Sequence, residues 1–259
     1  MRYYVVDAFA ESLFKGNPAG VCLLDEWLDD AVMQNIAQEN NLAETAFVVN
    51  RGGYYDLRWF TPEIEVDLCG HATLASAFII SNFVDKRAVD IDFHTISGVL
   101  PVKKLDDLYE LNFPARMPKQ IDITPLMEQA AGVPILGAYL SRDLLLLLDS
   151  EWQVAQLQPD FNLIAKIPDC LGLIVTATGD YVDFVSRFFA PNAGVPEDPV
   201  TGSAHSTLIP FWADRLSKNK MVARQLSKRG GMLHCEHCGD RVKIAGKAAL
   251  YLEGEIRVN

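Results

Sequence analysis

The 259-residue chain lacks the patterns that would fix its chemistry at once. It contains no Gly-x-Gly-x-x-Gly and no Walker A sequence, so a nucleotide cofactor has no support. Gly-x-Ser-x-Gly is absent, which removes the serine hydrolases built on that elbow. No run approaches the roughly 18 apolar residues of a membrane-spanning helix; the most apolar stretch, Leu144 to Leu148, suits a strand. Cations are few: 23 Lys and Arg stand against 34 Asp and Glu, a net charge of −11. They fall in scattered pairs (Lys86-Arg87, Lys103-Lys104, Lys228-Arg229), which argues against a nucleic-acid partner. Cysteine is sparse, five residues at 22, 69, 170, 235 and 238. An odd number in a chain of this length is no disulfide framework, and a reducing cytoplasm is the expected setting. The opening Met-Arg-Tyr-Tyr-Val-Val-Asp-Ala-Phe lacks the order of a secretory signal.

What remains is ordinary globular composition, 49% hydrophobic and 22% charged, enough for about two domains. Strands are expected at Arg2–Phe9, then Val21–Leu24 after a Gly16–Gly20 turn. Asp29 caps a helix running to Asn40, with Ala31, Ile36 and Ala37 inward. Thr45–Val49 and Tyr54–Phe60 pair through a Gly52-Gly53 turn. Gly70 to Phe83 is apolar nearly all round and reads as a buried helix. A β-meander follows at 91–93, 99–104 and 109–113, and Pro114–Pro118 forms a boundary. Beyond it come helices near 123–131, 162–166 and 203–215. Strands are expected near 144–148, 153–156, 171–177, 181–189, 221–226, 241–246 and 248–252.

The two halves echo each other. Arg58-Trp59-Phe60-Thr61-Pro62 leads to Gly70-His71-Ala72, and Arg187-Phe188-Phe189-Ala190-Pro191 leads to Gly202-Ser203-Ala204. Each is strand, loop, glycine, buried helix. We read this as duplication, two like domains facing across a cleft. Paired helix N-termini then offer unpaired N–H groups to a small anion such as a carboxylate.

Proton chemistry needs a group that takes and returns a proton. Glu44, where a helix hands over to a strand among apolar neighbours, is the best candidate, because desolvation there disfavours its charge. His71 at the mouth of the anion site can donate or shuttle a proton; His205 is the weaker histidine. Asp198 can cap the second helix or bind a substrate donor, and capping is the blander reading. Ser203 can hold a ligand oxygen. His234-Cys235-Glu236-His237-Cys238 looks like half of a zinc site, but the second cysteine pair is missing, so no metal is expected.

Taken together, Asp7-Ala8-Phe9, Gly16-Asn17-Pro18-Ala19-Gly20-Val21, Ala43-Glu44-Thr45-Ala46-Phe47, Phe60-Thr61-Pro62, Cys69-Gly70-His71-Ala72-Thr73 and Glu197-Asp198-Pro199-Val200-Thr201-Gly202-Ser203-Ala204 resemble the phenazine-biosynthesis-like PhzF family. The resemblance runs over nearly the whole chain. It implies an α+β fold of the diaminopimelate epimerase type: two pseudo-symmetric domains, 1–114 and 115–259, each a curled sheet around a central helix, with the active site between them. The last strand can return to the first domain. It implies a cytoplasmic, homodimeric isomerase acting on a small carboxylate-bearing substrate without metal or organic cofactor. The catalytic residues carried over are Glu44 as base and acid, His71 and Asp198; Gly70, Ala72, Gly202 and Ser203 would bind substrate. The epimerase relatives use two cysteines. Here Cys69 holds the first place and Thr201 the second, whose hydroxyl is too weak an acid for that role. The alternatives are an amino-acid or hydroxy-acid epimerase using Glu44 with Cys69, and a non-catalytic small-anion binder.

Overall fold

The computed structural model describes residues 1–258. The chain divides into two units, Met1–Asn112 with Ala245–Asn259, and Phe113–Ile244. The break falls two residues before the expected 114, and the C-terminal segment groups with the first unit.

In the first unit the strands are β1 (Arg2–Ala8), β2 (Asn17–Leu24), β3 (Glu44–Asn50), β4 (Tyr55–Phe60), β5 (Glu65–Val66), β6 (Asp90–Thr95), β7 (Gly98–Leu105) and β8 (Leu108–Pro114). The helices are α1 (Asp30–Asn40) and α2 (Gly70–Ile79), the latter continued by one π-helical turn, Ile80–Val84. β2 begins at Asn17, inside the stretch expected to be only a turn. Asp29 caps α1 by accepting from the Ala31 N–H; the inward residues are Met33, Ile36 and Ala37, while Ala31 is exposed. The Cβ of Ala31 faces solvent because it sits two positions, about 200°, from Met33.

The second unit holds β9 (Lys119–Ile121), β10 (Gly137–Leu140), β11 (Leu144–Leu147), β12 (Leu173–Thr178), β13 (Phe184–Ala190), β14 (Val195–Asp198), β15 (Lys220–Gln225), β16 (Gly231–Cys238) and β17 (Arg241–Gly246). Its helices are α3 (Pro125–Ala131), α4 (Glu151–Gln156), α5 (Phe161–Ile164) and α6 (Gly202–Leu216). α4 replaces the strand expected at 153–156. Ser150 accepts from the Gln153 N–H and the Gln153 side chain accepts from the Asp149 N–H, a reciprocal cap that nucleates the turn. β16 covers the expected zinc half-site. Strand alternation buries Leu233 and Cys235 and turns His234, Glu236 and Cys238 to the other face; the group of three possible metal donors found among the described residues lies elsewhere, at Glu44, Cys69 and His71. β18 (Ala248–Glu255) pairs antiparallel with β1 in the first unit, which is why the chain after Ala245 belongs there.

The two units repeat one wiring. β1 is antiparallel to β2, β2 parallel to β3, β3 antiparallel to β4, β4 parallel to β6, and β6 antiparallel to β7. β10, β11, β12, β13, β15 and β16 follow the same sequence of directions. The short β5 and β14 lie against β4 and β13. The echo extends to side chains. Arg58 binds Glu65 with two bonds of 2.6 and 2.7 Å and stacks 5.2 Å from the Phe60 ring. Arg187 binds Glu197 at 2.6 and 3.1 Å, 4.9 Å from the Phe189 ring.

Each sheet wraps a central helix. α2 touches β1, β2, β3, β7 and β18, strands far apart in the sheet, so the sheet must curl around it. Its polar Thr73 and Ser76 side chains are buried without penalty, because each donates to the carbonyl one turn back, Cys69 and Ala72. In the second unit Trp212 of α6 stacks on Phe184 at 5.7 Å and donates to Thr176 Oγ1 at 3.0 Å, while Phe211 meets Tyr139 at 4.9 Å. The other face of each sheet is covered as well: α1 packs on Tyr3, Cys22 and Phe47, and α3, α4 and α5 on β10 to β13. Strands buried on both faces read as continuous apolar runs, as Leu144–Leu147 does.

Candidate active site

Glu44 opens β3, directly after Asn41 ends α1 in a left-handed conformation (φ 51°). His71 sits in the first turn of α2, whose N-cap is Cys69 in an extended conformation. The Cys69 side chain makes no capping bond, so it leaves the first-turn N–H groups open. These elements bring His71 Nε2 within 3.1 Å of Glu44 Oε2, although the ring N–H does not point along that line. The other ring nitrogen, Nδ1, lies 3.3 Å from Asn17 Nδ2 and 3.5 Å from Cys69 Sγ. Asn17, fully buried, was missed by sequence reasoning, which took Gly16–Gly20 as a turn. Its signal was the glycine before it. Gly16 has φ +66°, and a Cβ there would meet the Ala8 carbonyl oxygen at 2.1 Å, so only glycine delivers Asn17 to the ring.

Burial pushes the His71 imidazole toward neutrality, but its contacts with Cys69 first and Glu44 next push it back further, and its pKa lies well above the ordinary 6.5. The Cys69 thiol is itself pushed up, by burial first and by Glu44 next. Near neutral pH the sulfur therefore keeps its proton, which leaves the Glu44 carboxylate as the negative charge beside the His71 ring. The Glu44 side chain is 21% exposed and that of His71 only 7%, so the carboxylate is the member of the pair that a ligand can reach. Glu44, Cys69 and His71 also place an oxygen, a sulfur and a nitrogen within 4.8 Å of one another. A metal ion there would have to displace the thiol and imidazolium protons. Gly70 starts the same turn; Ala72 is fully buried, so only its backbone can face a ligand.

The second unit gathers the other residues. Asp198 ends β14 and accepts from the Thr201 hydroxyl. Thr201 is the N-cap of α6, and its side chain makes no capping bond. The capping role considered for Asp198 therefore falls to Thr201 by position. Every polar group of Thr201 is engaged. Its N–H goes to Gln225 Oε1 at 2.9 Å, its carbonyl to His205 Nδ1 at 2.8 Å, and its hydroxyl also accepts from Gln225 Nε2 at 3.2 Å. Gln225, fully buried and unflagged by sequence, further donates to the Asp198 carbonyl at 2.8 Å. His205 is buried in apolar surroundings that push it down to about 4, so it is a neutral strut. Gly202 and Ser203 form the first turn of α6, and Ser203 Oγ accepts from Arg142 Nη2 at 2.9 Å.

Two α+β units of one wiring, each wound around a central helix, are a fold shared with racemases and epimerases. A probable proline racemase of Agrobacterium radiobacter shares it, with TM-score 0.66 over all of this chain and 93% of its own at 10% identity, a likeness of fold alone. Residues 6–254 match the family described as phenazine biosynthesis-like protein, and the chain belongs to that family. A PhzF-family phenazine biosynthesis protein of Enterococcus faecalis is similar at 52% identity, TM-score 0.98, covering 99% of both chains. An uncharacterized isomerase of Pseudomonas aeruginosa is 49% identical over 258 residues, 100% of this chain and 99% of its own. The chain is an isomerase of this family. No helix among the described residues is long and apolar enough to cross a membrane.

Proposed function

We propose that the protein is a cofactor-independent isomerase that moves a proton between carbons of a small carboxylate-bearing molecule, with Glu44 as base and then acid. The observation that carries this reading is the Glu44–His71 pair at the uncapped first turn of α2. The Glu44 carboxylate takes a proton from a carbon made acidic by conjugation and becomes a neutral carboxyl. The electron pair left on the substrate delocalises toward an oxygen, where first-turn N–H groups and the His71 imidazolium oppose the developing charge. Glu44 then returns its proton to another carbon on the same face, and no atom is gained or lost. Asp198, held by Thr201 and Gln225, orients the substrate, and Ser203 holds one of its oxygens. The reading extends to a homodimer working in the cytoplasm, without nucleic-acid or membrane partners.

The test incubates the protein in D₂O with a panel of unsaturated, cyclic and amino carboxylic acids. NMR follows rearrangement and carbon-bound deuterium in wild type and Glu44→Gln. Activity lost in Glu44→Gln is the expected result; activity that survives refutes Glu44 as the base. Cys69 beside His71 gives the epimerase alternative its one supporting observation. Against it stand the protonated thiol and the fully engaged Thr201 at the second thiol position. Cys69→Ala should leave turnover near wild type, whereas collapse would favour the epimerase. A non-catalytic anion binder would bind equally in wild type and Glu44→Gln and never exchange a carbon-bound proton.

A further inference from the structure

We infer that Arg142 is a substrate-binding residue that recognises the carboxylate of the ligand. Arg142 lies in the Ser141–Asp143 turn joining β10 to β11, 61 positions before Ser203. Its Nε and Nη2 grip the Asp143 carboxylate at 2.8 to 3.3 Å, and Nη2 also donates to Ser203 Oγ. Ser141 Oγ meets Thr207 Oγ1 at 3.0 Å, which ties the turn to α6 a second time.

Asp143 is 1% exposed and the Arg142 side chain 28% exposed. A buried acid therefore fixes the plane of a guanidinium whose remaining nitrogen, Nη1, bonds to no other described residue. With Nε and Nη2 spent on Asp143 and Ser203, the pinned cation presents Nη1, whose N–H can donate a charge-assisted bond to one oxygen of a carboxylate. Ser203 Oγ already accepts from Arg142, so its own proton is free to point to a ligand. Asp143 occupies the Nε and Nη2 edge of the guanidinium; what is left facing Ser203 donates: the Nη1 N–H groups, the Ser203 hydroxyl and the first N–H groups of α6, which the Thr201 side chain does not cap. A cluster of donors around one fixed cation selects an oxyanion over a neutral isostere. The competing role, neutralising Asp143 alone, predicts indifference to the charge of the ligand.

This inference deepens the proposed function and rests on it for the nature of the substrate. The test titrates the full-length protein with acetate, benzoate and cyclohexanecarboxylate, and with their primary amides. NMR follows the Arg142 Nε–H and Ser203 amide signals. In wild type the carboxylates should shift both signals to saturation and the amides should not. Arg142→Met should weaken carboxylates by about 10- to 100-fold and leave the amides unchanged. That change strands Asp143, so Arg142→Met combined with Asp143→Leu is run beside it, and the same loss is expected. Carboxylates and amides behaving alike in wild type would overturn the inference, as would a carboxylate preference that survives in the double variant. Glu44→Gln should keep the preference while losing proton exchange. Exchange that persists there refutes the isomerase reading and leaves Arg142 standing. Exchange lost there, with Arg142→Met still preferring carboxylates, does the reverse.

Discussion

Replacing Glu44 by glutamine keeps the shape of the site and removes one charge, so the His71 pKa should fall. Two unit charges 3.1 Å apart attract by about 5 kcal/mol at an effective dielectric near 20, which is a ceiling. Glu44 is a fifth exposed, so water screens the pair. About half or less of that ceiling survives, roughly 1.5–2.5 kcal/mol. At about 1.4 kcal/mol per pH unit, the midpoint should drop by roughly one to two pH units. The assay is an NMR titration of the His71 Cε1 proton, resolved from the other four of the five histidines. Wild-type His71 should stay protonated well above pH 6.5, and the Glu44→Gln ring should deprotonate much earlier. The comparison variant is Cys69→Ala. If the sulfur keeps its proton near neutral pH, removing it should barely move the midpoint. An unchanged midpoint in Glu44→Gln, or an equal fall in Cys69→Ala, would refute the claim that the carboxylate holds the imidazolium. The same pairing sets a slope in stability. The folded pKa of His71 is raised, so its contribution is complete below about pH 6.5 and fades as pH climbs through the folded value.

His205 should act in the opposite sense. Its folded pKa of about 4 lies below the unfolded value, so between about pH 4 and 6.5 the unfolded chain takes up a proton that the folded chain refuses. Stability should fall by about 3 kcal/mol as pH drops through that window, seen as a falling urea midpoint that is flatter in His205→Gln. Gln225→Leu leaves the Thr201 N–H and the Asp198 carbonyl without their partner and should cost about 2–4 kcal/mol in chemical denaturation; a loss under about 1 kcal/mol would show the clamp to be dispensable. Gly16→Ala forces a left-handed residue against the Ala8 carbonyl and should destabilise by about 2 kcal/mol or more. It should also disturb the His71 ring signals, through the displaced Asn17.

The parts of the fold legible in the sequence were those with a local physical signal. Asp29 before a helical run, the apolar Gly70–Ile79 stretch and the Arg58 and Arg187 echoes each carried their meaning within about fifteen residues. α4 was misread because Trp152 and Val154 alternate like a strand, while the Ser150–Gln153 cap, the stronger signal, was passed over. The His234–Cys238 cluster shows the limit of spacing arguments: residues adjacent in sequence point to opposite faces once the chain extends. In the candidate site, Glu44 and His71 stood out as ionisable groups beside helix termini. Asn17, Arg142 and Gln225 did not, because each acts on a partner 24 to 61 positions away. Such partners are assigned by sheet pairing, which single-chain periodicity does not encode.

Met1 and Ile256 meet. The Met1 ammonium donates to the Ile256 carbonyl at 2.9 Å, and the Ile256 N–H donates to the Met1 carbonyl at 3.0 Å. The second unit is therefore an uninterrupted excursion of the chain, while the first is assembled from both ends of it. Joining the ends with a short linker and reopening the chain in the segment between β8 and β9 would render the first unit continuous as well. A circular permutant of that kind sets two halves that resemble each other one after the other along the chain, as two successive copies of one plan.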